Sequence, residues 1–151
     1  MITKLITGET FLRDASCANW EELVDLSGGL LVRQGTVEPE FLQSIKDTVA
    51  QYGAYMVLVD DVAFFHGRPD AGVHEVSMSL VLLREPVFLG EKRIKAAFCF
   101  AAVDNAGHRN LLRELAWSLD NDAFLELLRT GATLDAITEK LREAEEKHEV
   151  S

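Results

Sequence analysis

The sequence predicts an α/β sandwich, a mixed β-sheet flanked by α-helices, formed as a single domain over residues 1–151. Three observations point there. Two helix-patterned segments lead, a β-rich middle contains two apolar runs suited to central strands, and three helix-patterned segments close the chain. No repeat, low-complexity tract or Pro/Gly/Ser-rich linker divides it, and 151 residues suffice for one well-filled core.

The first helix is expected from about Asn19 to Arg33. Asn19 suits the N-cap, Glu21 and Glu22 suit the positive first turn, and Leu23, Leu26, Leu30 and Leu31 form an apolar stripe. Gly28 and Gly29 weaken its middle, and Gly35 ends it. A second helix opens at Pro39, where the first turn tolerates proline, and buries Phe41, Leu42, Ile45 and Val49 before Gly53 stops it. YMVLV (Tyr55 to Val59) and VAFF (Val62 to Phe65) read as β-type runs on either side of Asp60-Asp61. EVSMSLVLL and IKAAFCFAAV are apolar enough for strands covered on both faces, with Arg84, Glu85, Pro86 and GEKR separating them. Three helices follow: one from about Asn105 with Leu111, Leu112, Leu115 and Leu119 inward, a short one ended by Gly131, and a last one capped by Thr133 with Leu134, Ile137 and Leu141 buried. Beyond Leu141 the stripe stops, so residues from about 143 to 151 read as a solvated or fraying tail.

Charge and composition exclude several functions. A formal net charge of −10 argues against nucleic acid and against anionic membrane surfaces, both of which demand clustered Lys and Arg. The opening MITKLITGETFLRDAS lacks a charged leader followed by an apolar core, and no run approaches the ~18 apolar residues of a membrane span. Of the two cysteines, Cys17 and Cys99, the latter lies in an apolar run and reads as a free buried thiol. A cytoplasmic protein without direct membrane insertion is expected.

Four histidines are the natural place to look for chemistry, since imidazole changes charge near neutral pH. His66 ends a β-type run and opens HGRPDAGV, rich in turn residues. From position alone it is either a nucleophile held at a cleft or a ring that hydrogen-bonds a neighbouring carbonyl. His108 lies in the first turn of the helix after IKAAFCFAAV, where unpaired N–H groups and a partial positive charge favour phosphate. The same field keeps an imidazole neutral. If the strands before them are neighbours, both rings meet at one edge. His74 reads as a strand-start surface residue and His148 as an exposed tail residue. No ligand spacing for a metal is present, and no Walker loop, GxGxxG or GxSxG, so no metal and no cofactor are expected.

Three segments in order carry a resemblance: VEPEFLQSI, then YGAYMVLVDDVAFFHGRPDAGVHEVSMSLVLLREPVFLG, then AAVDNAGHRNLLRELAWSLDND. They resemble the IIA domains of the mannitol/fructose family of bacterial sugar phosphotransferase systems, most of all the ascorbate-type proteins. The resemblance implies that His66 takes the place of the phosphorylated histidine and His108 that of the second active-site histidine facing it. It further implies a phosphotransferase that accepts phosphate from the carrier HPr and passes it to a IIB component, linked only indirectly to a membrane IIC component, for uptake of a sugar such as ascorbate. In the ascorbate branch the acceptor is a cysteine on IIB, so Cys17 and Cys99 need no phosphoryl role. A regulatory or inactive IIA-like interaction module is the alternative.

On this reading neutral His66 attacks phosphorus, and catalysis is positioning and electrostatics. His108, the N–H groups at its helix start and those near Gly67 are candidate phosphate donors. Arg68 adds charge or else pairs with Asp70. The chain departs from the family pattern at the site: Asp60-Asp61 replaces the usual Pro-Gly, and Phe65 replaces the proline before the histidine. The carboxylates would repel a phosphohistidine if close, and Phe65 is placed to fill or cover the cleft. A mannitol-type arginine has no match in SIKDTVAQYG, and a Phe64-Phe65 patch is expected to serve HPr docking or self-association.

Overall fold

A computed structural model describes residues 1–149. A short helix α1 (Ile2–Leu5) and strand β1 (Phe11–Ala15) open the chain. Helices α2 (Trp20–Gln34) and α3 (Pro39–Tyr52), a 3-10 turn (Ala54–Met56) and strand β2 (Asp61–His66) follow. Strands β3 (Ser77–Leu89) and β4 (Lys92–Ala101) then lead into α4 (Asn105–Leu119), α5 (Asp122–Thr130) and α6 (Leu134–Glu149). The sheet runs β1-β3-β4-β2; β3 and β4 are antiparallel, while β1 and β2 lie parallel to their neighbours. This is the expected mixed sheet flanked by helices.

The two apolar runs are the central strands, buried without a break from Ser77 to Leu83 and from Ala96 to Ala101. Their period of two sorts the side chains onto two cores. Val81, Leu83, Ala97 and Cys99 face α2 and α3, whereas Leu80, Leu82, Ala96 and Phe98 face α1, α4, α5 and α6. Burial of Cys99 pushes its thiol up to about 12, and both cysteines are free. Asn19 caps α2 as predicted, accepting from the Glu22 N–H at 2.9 Å. Gly28 has a packing reason for its place inside that helix: a Cβ there would sit 2.7 Å from Cγ of Leu42 on α3. Among the described residues no helix is long and apolar enough to cross a membrane.

Four expectations change. YMVLV is not a strand: Tyr55 and Met56 belong to the 3-10 turn, and Val59 makes only an isolated bridge to Val62. The run is apolar because Met56 and Val57 plug the core, while Tyr55 and Leu58 face outward. Strand β3 continues through Arg84-Glu85-Pro86 to Leu89, with a register shift between Leu82 and Val87 absorbing the proline. The first 15 residues supply α1 and the edge strand β1, which were too short to show a period. The supposed tail from 143 onward is helical through Glu149, and its last two residues lie outside the described ones. Glu145 accepts hydrogen bonds from the Thr3 N–H (3.1 Å) and hydroxyl (2.9 Å), and the His148 ring stacks on Trp117 at 4.3 Å. His148 is therefore half-buried against α4 and not a bare tail residue.

Candidate active site at the carboxyl ends of β2 and β4

Parallel pairing of β2 with β4 places His66 opposite Phe100, so both strands end at one edge of the sheet. Crevices outside the carboxyl ends of strands are where α/β sheets hold ligands. Helix α4 starts just beyond β4, capped by Asp104, whose carboxylate accepts from the Gly107 N–H at 2.7 Å. That start delivers His108 to His66: the ring centroids lie 4.9 Å apart at 68°. Phe100 floors both rings, stacked on His66 at 5.2 Å and tilted against His108 at 5.5 Å.

The hydrogen bonds of His66 fix its tautomer. Nδ1 lies 2.8 Å from the carbonyl oxygen of Phe64, which can only accept, so Nδ1 carries the proton. Nε2 then presents a lone pair, to which the Tyr55 hydroxyl donates at 3.0 Å. The two readings of His66 left open by its position are thus compatible: one nitrogen binds a carbonyl and the other keeps a nucleophile's electron pair. The His66 pKa is lowered to about 4: burial is the main cause, the Phe64 carbonyl opposes it, and nearby His108 adds to the lowering. His108 is also pushed down, by burial. Both rings are neutral at neutral pH.

Around them lies a cleft of about 340 Å³, walled by Thr48, Gln51 and Tyr52 of α3, by Tyr55, and by Arg68. Gly67 is required by close approach: a Cβ there would meet Ser44 Oγ at 2.1 Å and Phe41 at 3.1 Å. Arg68 lines the cleft but points its Nε to Asp70 Oδ1 at 3.3 Å, an exposed pair of small energetic weight. His74 bonds Glu38 at 2.7 Å on the surface, away from the cleft, and lies before β3 rather than in it.

The departures at the site resolve into structure. Asp61 opens and His66 ends the six-residue β2, so five steps of strand, about 17 Å, separate them. It is only 6% exposed and holds φ at +75°. Arg93 binds both its oxygens at 2.6 and 3.1 Å, and Arg129 donates at 3.0 Å. Those guanidiniums, Arg93 first, keep the carboxyl below its usual range. No carboxylate of this pair reaches the imidazole. Phe65 does not cover the cleft; it is fully buried beneath α2 and α3. Phe64 is buried on the opposite face, so the expected Phe64-Phe65 surface patch does not exist. Tyr52 and Tyr55 at the cleft and Val103 just beyond β4 are exposed apolar side chains near this end. Sequence reasoning missed Tyr55 and Phe100 as site residues; the tyrosine stood in the resembling segment but was read as part of a strand.

Residues 4–144 match the family described as phosphoenolpyruvate-dependent sugar phosphotransferase system, EIIA 2. The chain belongs to this family. It is similar to the ascorbate-specific PTS system EIIA component of Salmonella typhimurium, 31% identical over 127 residues that cover 82% of each chain. The solution structure of the mannitol-specific cryptic phosphotransferase enzyme IIA of Escherichia coli superimposes with a TM-score of 0.82 at 26% identity, covering 93% of this chain and 98% of that one. Enzyme IIA in the E. coli mannitol complex with phosphorylated enzyme IIB does so with a TM-score of 0.81 at 25% identity, covering 92% and 99%. As an EIIA component, the chain has its two paired histidines at the carboxyl edge of a mixed sheet.

Proposed function

We propose that this EIIA component is a phosphoryl carrier that accepts phosphate on Nε2 of His66 from phospho-HPr and passes it to a IIB component. The observation that carries the reading is the His66 ring itself, with Nδ1–H given to the Phe64 carbonyl and the Nε2 lone pair turned to a cleft beside His108. In transfer the N–P bond of the donor histidine breaks and its electron pair returns to the donor ring. A bond from Nε2 to phosphorus forms in line, with charge spread over three equatorial oxygens. Nδ1–H keeps donating to the Phe64 carbonyl, whose oxygen steadies the positive charge that the ring acquires. No acid or base is needed at His66, because the ring is already neutral. His108, also neutral, offers one N–H to a phosphoryl oxygen, and N–H groups at the start of α4 and near Gly67 supply others. A neutral donor set keeps the phosphohistidine energetic enough to hand on.

We read residues 1–151 as one such domain, working in the cytoplasm where HPr resides, with a membrane IIC component reached only through IIB. The 31% identity to an ascorbate-specific component supports an ascorbate-type system. Incubation with phosphoenolpyruvate, enzyme I and HPr tests the reading: an acid-labile, base-stable adduct forms on wild-type protein and not on His66→Ala. Label persisting in His66→Ala moves the site elsewhere, and no label on wild-type protein ends the carrier reading. For His108→Ala, labelling remains and onward transfer slows. Offering ascorbate-type and mannitol-type IIB proteins side by side reads the branch; preference for the mannitol-type acceptor contradicts the ascorbate assignment.

A further inference from the structure

The Tyr55 hydroxyl occupies the one direction from which phosphorus can approach. It donates to Nε2 at 3.0 Å, and an incoming phosphoryl group needs the lone pair that accepts this bond. Free His66 is therefore capped, and the cap must leave before each transfer. Its attachment permits this. Tyr55 stands on a single 3-10 turn after Gly53, and its side chain is 44% exposed, touching Tyr52 and His66 edge-on at 5.8 and 5.9 Å. The neighbouring Met56 and Val57 are buried and hold the turn to the core. Rotation of the ring outward thus leaves the packing intact. Displaced by the width of a phosphoryl group, the hydroxyl remains beside the oxygens that group brings. Burial and the nearby Tyr52 hold its pKa above the usual tyrosine value, so it keeps its proton as a donor.

We propose that Tyr55 is a two-position catalytic residue, capping Nε2 of unloaded His66 and donating the same hydroxyl proton to a phosphoryl oxygen once His66 is loaded. The proposal rests on the carrier reading of His66. In each transfer only the N–P bonds change; the tyrosine proton stays on its oxygen and exchanges one acceptor for another. The first position holds a neutral hydrogen bond, the second a charge-assisted one of roughly twice the strength. Tyr55 accordingly favours the loaded state while restraining the unloaded nucleophile. Arg68, the cation lining the cleft, points its Nε to Asp70 rather than to His66.

Tyr55→Phe removes both positions and leaves the ring. Two measurements separate the claims. On unloaded protein, the 15N resonance of His66 Nε2 shifts on losing its donor, with the melting temperature unchanged; an unmoved resonance overturns the cap, whether or not the protein is ever phosphorylated. With phospho-HPr in rapid-quench experiments, uptake by the variant is about threefold faster, because the cap no longer has to leave. Return of phosphate to HPr is about tenfold faster, and the equilibrium share on His66 falls accordingly. Forward and return rates that slow in parallel, or that both match wild type, overturn the loaded-state role while wild-type labelling still upholds the carrier. A wild-type protein that takes no label defeats the carrier reading and the loaded-state role together, and the resonance still decides the cap.

Discussion

The two ends of strand β2 carry the same kind of residue, a titratable side chain, and treat it in opposite ways. At the Asp61 end two arginines from β4 and α5 bind one nearly buried carboxylate. At the His66 end a neutral ring keeps one nitrogen bonded to a carbonyl and the other only loosely covered by a half-exposed tyrosine. The first arrangement satisfies every strong electrostatic demand and holds an element in place. The second leaves an electron pair reachable. A charged residue next to a functional strand is thus no guide to function until its partners are known.

Substitutions at the two ends break the comparison cleanly if it is right. The largest effect belongs to His66→Asn, which abolishes phosphoryl uptake from phospho-HPr; Asp61→Asn leaves the uptake rate at its wild-type value. A slowed rate in Asp61→Asn would show that the far end reaches the site after all. Next comes Phe65→Pro, which restores the family's usual residue. Because Phe65 is fully buried, losing its ring costs about 3–5 kcal/mol in urea unfolding. A variant of wild-type stability would mean that the ring is not part of the core. Smaller again, Asp61→Asn costs about 1–3 kcal/mol through the lost charge-assisted bonds, since asparagine tolerates the positive φ. Unchanged stability in that variant would demote the clamp to an ordinary surface pair.

The mildest test uses pH, because the two ends titrate in different windows. His66 has a folded pKa near 4, below the ordinary 6.5, so the unfolded chain binds the extra proton between those values. Stability from this end is full above pH 6.5 and declines as pH falls towards 4. Asp61 is held below its ordinary 3.8, so its contribution is full above that value and is lost only as pH falls further. Thermal melts between pH 7 and 4 should therefore show a shallower decline in His66→Asn than in wild type. Equal slopes in the two proteins would place the His66 pKa near its ordinary value.

The fold was readable where periods are long and the apolar segments continuous: the central strands β3 and β4 and the helices α2, α3, α4, α5 and the first turns of α6 all follow from spacing and caps. What escaped was short or contingent on distant partners. Strand β1 has five residues and α1 four, too few to display a period. The Met56-Val57 run is apolar because it plugs a core, a cause that a strand shares. The juxtaposition of His66 and His108 was conditional on their strands being neighbours, and the sheet order supplies that pairing. Asp61, by contrast, looked like a hazard beside the histidine because its partners Arg93 and Arg129 stand 32 and 68 residues away in sequence. Tyr55 eluded the residue-by-residue reading for a related reason. Its hydroxyl matters only because a 3-10 turn, unmarked in the sequence, aims it at Nε2.

The central claim is that Nε2 of His66 is the atom that carries phosphate. Two-dimensional 15N and 31P NMR of the protein loaded through HPr tests it most directly. The account predicts a phosphorus coupling at Nε2, with Nδ1 still protonated and bonded to the Phe64 carbonyl; a phosphoryl group on Nδ1, or on any residue other than His66, would contradict it.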